Sequence, residues 1–124
     1  MKLTRIFSTL AAGLLLSLTS AAVTAQNIVV GGKNFTEQQI MAAMTAQLLK
    51  AKGYTVDVKA GMGSAVLRQA QESGQIDVYW EYTGTSLITY NKFTDKLSAT
   101  DNYNKVKELD AAKGLVWLLS LIHI

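Results

Sequence analysis

Residues 77–86, DVYWEYTGTS, set Tyr79, Trp80, Glu81 and Tyr82 side by side and then break into small polar residues around Gly84. Near the other end, GGKNFT (31–36) brings two glycines and a lysine up to Thr36. The first stretch offers ring faces, which attract cations. The second offers an ammonium beside backbone N–H groups at a helix start, which together can hold an anion. Lys33 reads either as part of such a cradle or as a solvated loop lysine, since the spacing is not that of a nucleotide-binding loop. Strand alternation turns one of Tyr79 and Trp80 into the core. Tyr82 lies beyond the strand and reads as a binding-site wall or a surface tyrosine. Glu81 reads as solvated or paired, and Thr83 and Thr85 as caps of a following helix.

No catalytic constellation accompanies these residues. The chain has no cysteine, its one histidine is His123 near the end, and no His, Asp and Glu stand at metal-ligand spacing. Binding is therefore expected rather than catalysis, with no metal and no cofactor. Of the 124 residues, the first 25 have the make-up of a secretory signal peptide. Lys2 and Arg5 precede an apolar run over 6–18, and the stretch AAVTA (21–25) supplies the small residues that precede a cut after Ala25. No cysteine follows the cut to carry a lipid, so a periplasmic location is expected. Without the signal, ten basic side chains face nine acidic ones, a formal charge of +1 in place of +3. No basic cluster remains, and nucleic acid is not an expected partner.

The elements that must position the two stretches follow from periodicity. A buried strand is expected over 27–30, ended by Gly31-Gly32. Thr36 and Gln39 form a capping-box pattern ahead of a helix with Ile40, Met41, Met44, Leu48 and Leu49 at helical spacing, stopped by Gly53. Further expectations are a strand over 54–58, a helix capped by Ser64 and ending near Gly74, and a strand over 76–79. Residues 86–93 read as a helix and 94–102 as loop. A helix with Tyr103, Val106, Leu109 and Ala112 on one side and a last strand over 115–118 complete the pattern. The alternation gives an α/β class with a largely parallel sheet. In such sheets ligands bind outside the carboxyl ends of the strands. If the first strand lies between the second and third, Lys33 and Tyr82 face one crevice. The tail 118–124, LLSLIHI, is apolar and uncapped and reads as atypical of a folded domain, as truncation would leave it.

GGKNFTEQQI (31–40) and IDVYWEYTGT (76–85) together resemble the substrate-binding proteins of ABC importers for glycine betaine, carnitine and choline, with the greatest similarity to the periplasmic enterobacterial members. The similarity runs from about Ile28 to Trp117 and includes 61–77 and 113–118. It implies the two-lobed type II periplasmic binding fold, of which residues 26–117 are the N-terminal part of lobe one. It further implies a quaternary-ammonium ligand such as glycine betaine or choline, an ABC permease in the inner membrane as partner, and a monomer at full length. Carried over residue by residue, it assigns ligand binding to Lys33, Tyr82 and Thr85. The physics suits that role: a trimethylammonium group has no N–H to donate, so ring faces must hold it, while Lys33 and the Thr85 hydroxyl suit a carboxylate. The alternatives are a binding protein for another small solute, an exported enzyme, and a truncated fragment without binding activity.

Overall fold

The computed structural model describes residues 27–118. The expected signal peptide and residues 119–124 of the tail lie outside the described residues. Strand β1 (Asn27–Lys33) pairs in parallel with β2 (Thr55–Met62), from Asn27 opposite Thr55 to Lys33 opposite Met62. On its other side, Val30 bridges Val78 in parallel, and Gly31 N–H donates to the Val78 carbonyl at 2.8 Å. The first strand is thus central, flanked by the second and by the extended segment around Val78, as a shared crevice requires.

Helix α1 (Thr36–Ala51) covers one face of this sheet, with Val30, Ala42, Ala46 and Val56 buried between them. Helix α2 (Ser64–Glu72) contributes Leu67 and Ala70 to a second cluster with Ile76, against which Val29 and Tyr79 pack. Val29 and Val30 point to opposite faces because strand side chains alternate, so the two clusters lie on opposite sides of β1.

Several expectations are corrected. Gly31 and Gly32 do not end the strand but lie within it, and contact explains their identity. A Cβ on Gly31 would stand 2.6 Å from Leu67 Cδ1 and 2.9 Å from Ile76 Cγ2, and one on Gly32 3.1 Å from Ala42 Cβ. That close approach shifts the buried face of α1 away from part of the expected stripe: Gln38, Ala42 and Ala46 are buried and Leu49 packs against their cluster, while Ile40, Met44 and Leu48 are exposed. Small side chains bring the helix down onto the sheet, and larger ones on that face would hold it off. Phe35, in extended backbone, occupies the cap position of α1 and Gly63 that of α2, and neither end has a side-chain cap. Thr36 and Ser64 are instead the first helical residues. Strand β2 runs on to Met62, with Val56 buried and Tyr54 and Val58 exposed.

After the Val78 bridge the chain turns into a π-helical turn (Thr85–Tyr90), capped by Gly84 and not by Thr83 or Thr85 side chains. Helix α3 (Ala99–Ala111) starts four residues before Tyr103, inside the expected loop, because Ser98 Oγ accepts from Asp101 N–H at 3.1 Å. Its buried face is Tyr103, Val106 and Asp110, and Gly114 at φ +74° ends it. Residues 115–118, expected as a strand, pair with no strand among the described residues. No described helix is long and apolar enough to cross a membrane.

Candidate binding site

Lys33 ends β1 and Glu81 to Thr85 follow the neighbouring extended segment, so the parallel topology delivers both to one end of the sheet. Lys33 is not a solvated loop lysine. Its side chain is 2% exposed and its Nζ lies 2.5 Å from Glu81 Oε1, with Glu81 itself 5% exposed. The same Oε1 accepts from Tyr82 N–H at 2.7 Å, and Oε2 accepts from the Tyr79 hydroxyl at 2.9 Å. An ammonium and a carboxylate leave water only when paired and hydrogen-bonded, and both conditions hold here.

The Tyr82 ring stands beside this pair, its centroid 5.1 Å from Lys33 Nζ. Its hydroxyl donates to Glu37 Oε2 in the first turn of α1 at 3.0 Å, and Phe35 lies 6.2 Å away between ring centroids. The ring is thereby fixed at both ends, by its backbone N–H on Glu81 and its phenol on Glu37. Burial raises the Tyr82 phenol above its ordinary value. Burial and then the Glu81 charge push Tyr79 up strongly, and both phenols are neutral donors at neutral pH. The two residues left open between core and surface part company. Tyr79 packs with Leu67 and Ile76 on one face, and Trp80 Nε1 donates to Thr45 Oγ1 of α1 at 2.9 Å on the other.

Thr85 opens the π-helical turn three residues after Tyr82, half-buried, and its hydroxyl makes no hydrogen bond among the described residues. The turn that carries it is held from behind. Ser86 Oγ and Asn91 Nδ2 each donate to Asp110 of α3 at 2.8 Å. Asp110 also accepts from both terminal nitrogens of Arg68 on α2, at 3.0 and 2.6 Å, and from Trp117 Nε1 at 2.7 Å. Arg68 in turn donates Nε to Glu72 at 2.6 Å and stacks 5.0 Å from the Tyr90 centroid. Burial alone would raise the Asp110 carboxyl. The hydrogen bonds from Arg68 foremost, then from Asn91, Trp117 and Ser86, outweigh it and hold the group well below the usual carboxylate range. Burial followed by the Glu81 charge raises the Tyr90 phenol to about 12.

The structure therefore joins Lys33 to Tyr82 and places Thr85 on the same connection, without a bond to either. Sequence reasoning missed Glu81 as the partner of Lys33 and missed the whole Arg68–Asp110 cluster. One signal was present: Asp110 falls on the Tyr103–Val106 face of its helix, where a carboxylate must find a buried partner. Among the described residues no group of three or more His, Cys, Asp or Glu side chains is arranged to hold a metal ion.

A family model, the substrate-binding domain of the ABC-type glycine betaine transport system, matches residues 26–122. The chain belongs to this family. The family is one of solute-binding transport components and not of enzymes. Among curated relatives of this ABC-transport family, the chain is 56% identical over 94 residues to a glycine-betaine-binding protein of Pseudomonas aeruginosa, covering 76% of this chain and 30% of that protein. It is 34% identical over 98 residues to the glycine betaine-binding protein YehZ of Escherichia coli K12, covering 76% and 32%. The solved structure of apo YehZ matches with a TM-score of 0.69 at 33% identity, over 76% of this chain and 35% of that one. This agrees with the periplasmic-binding α/β fold expected from the resemblance. The chain spans about a third of the length of the relatives it matches.

Proposed function

We propose that this chain forms one wall of the ligand cleft, in the N-terminal part of lobe one, of an exported solute-binding protein. That protein binds a quaternary-ammonium osmoprotectant such as glycine betaine or choline in the periplasm and delivers it to an ABC permease. The observation that carries the reading is the Tyr82 ring, fixed at its backbone and its phenol beside the buried Lys33 at the carboxyl end of the central strands. A ring so held presents a π face at little entropic cost, and a cation on it gains about 0.5–2 kcal/mol. The Lys33 ammonium and the half-buried Thr85 hydroxyl are the groups suited to a ligand carboxylate. Residues 1–25 act as the cleaved signal, and the full-length protein works as a monomer.

One wall is not a cage, so the test uses a complete cleft. Residues 27–118 are grafted into the Pseudomonas aeruginosa relative in place of its matching segment, and the chimaera is titrated calorimetrically with glycine betaine, choline, and a panel of amino acids and sugars. Saturable binding of the quaternary amines alone is expected. Preference for any other class of solute, or no binding by a folded chimaera, would overturn the reading.

A further inference from the structure

Glu81 holds the most heavily bonded carboxylate of the cleft wall. It accepts from Lys33 Nζ, Tyr82 N–H and the Tyr79 hydroxyl, and its side chain is almost fully buried. Its position has an electrostatic consequence for whatever cation rests against Tyr82. The Lys33 ammonium lies 5.1 Å from that ring's centroid. Uncompensated, it would repel a cation placed on the ring and attract a carboxylate nearby, and both effects are strong where water is excluded. Glu81, 2.5 Å from the ammonium, cancels much of each. Glu37, bonded to the Tyr82 phenol, adds a second negative charge at the ring's far end. Two carboxylates thus face one ammonium around this ring, for a formal balance of −1.

We propose that Glu81 determines the breadth of ligand charge that the site accepts. Resting on the function proposed above, the inference is that Glu81 masks Lys33 enough for purely cationic quaternary amines to bind alongside zwitterionic ones. Without Glu81, the site selects ligands that bring their own carboxylate. Glu81 acts through Lys33 and is in that sense a positioning and charge-setting residue rather than a direct ligand contact.

The test measures dissociation constants of the chimaera for choline, a cation, and glycine betaine, a zwitterion, with and without Glu81→Gln. The ratio of the choline constant to the betaine constant should rise by about tenfold or more in the variant. A merely structural Glu81 would weaken both ligands by the same factor and leave the ratio unmoved, which would overturn the proposal. Should Glu81→Gln fail to fold with Lys33 left uncompensated, the pair is removed together in Lys33→Met/Glu81→Gln, since a buried ion pair can often be replaced by uncharged groups at little cost. In that double variant the choline constant, which involves no ligand carboxylate, should return to within about threefold of its value in the unsubstituted chimaera, because masking and masked charge vanish together. A departure of about tenfold there would also overturn the proposal. Failure of the proposed function looks different: the unsubstituted chimaera would then bind neither amine, and this inference would fall with it.

Discussion

Replacing Asp110 with asparagine should loosen the half of the fold that carries Thr85. The carboxylate accepts five hydrogen bonds, two from Arg68 and one each from Ser86, Asn91 and Trp117, and it is fully buried. An asparagine of the same shape has one oxygen to offer, turns an N–H₂ group toward the remaining donors, and leaves the buried Arg68 with only the part-exposed Glu72 as counter-charge. Removing one partner of a buried ion pair costs about 3–5 kcal/mol, a large part of the roughly 5–15 kcal/mol that holds a domain folded. Amide hydrogen exchange locates the loss. Protection in α3 and in the π-helical turn should fall by a factor of about 10² to several times 10³, the equivalent of that energy. Protection of α1 and β2, which pack on the other face, should fall much less. A change below about tenfold in α3 would refute the claim that this cluster holds the turn. The same bonds fix a pH dependence. Because the folded-state pKa of Asp110 is depressed, its contribution is fully present above the unfolded value of about 4 and is lost as pH falls below it. Acid-unfolding curves of the unsubstituted protein should carry that slope, and those of Asp110→Asn should lack it.

Three further outcomes are expected, one from the chimaera and two from the fold. Lys33→Ala in the chimaera should weaken glycine betaine more than choline, because it removes the ligand carboxylate's partner and leaves Glu81 uncompensated; equal losses by calorimetry would make Lys33 structural. Gly31→Ala should destabilise by about 1–3 kcal/mol through overpacking, since its Cβ would meet Leu67 Cδ1 at 2.6 Å; an unchanged urea midpoint would contradict that contact. Tyr90, raised to about 12, gives stability that is full below the ordinary phenol value of about 10 and falls as pH rises through 12. Tyr90→Phe should lessen that alkaline decline, leaving the part that the raised Tyr79 and Tyr82 phenols contribute, as followed by circular dichroism between those limits.

The parallel α/β alternation was legible because strands and helices differ in period, and the convergence of Lys33 on Tyr82 followed once the central place of β1 was assumed. What the residues do there was less legible. Gly31 and Gly32 read as a loop because glycine usually marks turns, whereas here the lack of a Cβ lets Leu67, Ile76 and Ala42 approach the strand. The same tight packing misled the reading of α1. Its large apolar residues Ile40, Met44 and Leu48 follow a helical stripe, yet the sheet takes the face of Ala42 and Ala46, with Leu49 at its edge. Arg68 and Asp110 are 42 residues apart, and no local period announces a pair made across that distance. Glu81 could be read as paired, but its partner came from the neighbouring strand β1, 48 residues earlier in the sequence.

The central claim is that the Tyr82 ring holds the ligand's cation. Its most direct test is calorimetric titration of glycine betaine into the chimaera with Tyr82 intact, replaced by phenylalanine, and replaced by alanine. Tyr82→Ala should weaken binding by about tenfold or more, the loss of a wall worth above about 1.4 kcal/mol. Tyr82→Phe, which keeps the ring and gives up only the bond to Glu37, should retain most of the affinity. Betaine affinity unchanged in Tyr82→Ala would contradict the claim and remove Tyr82 from the site.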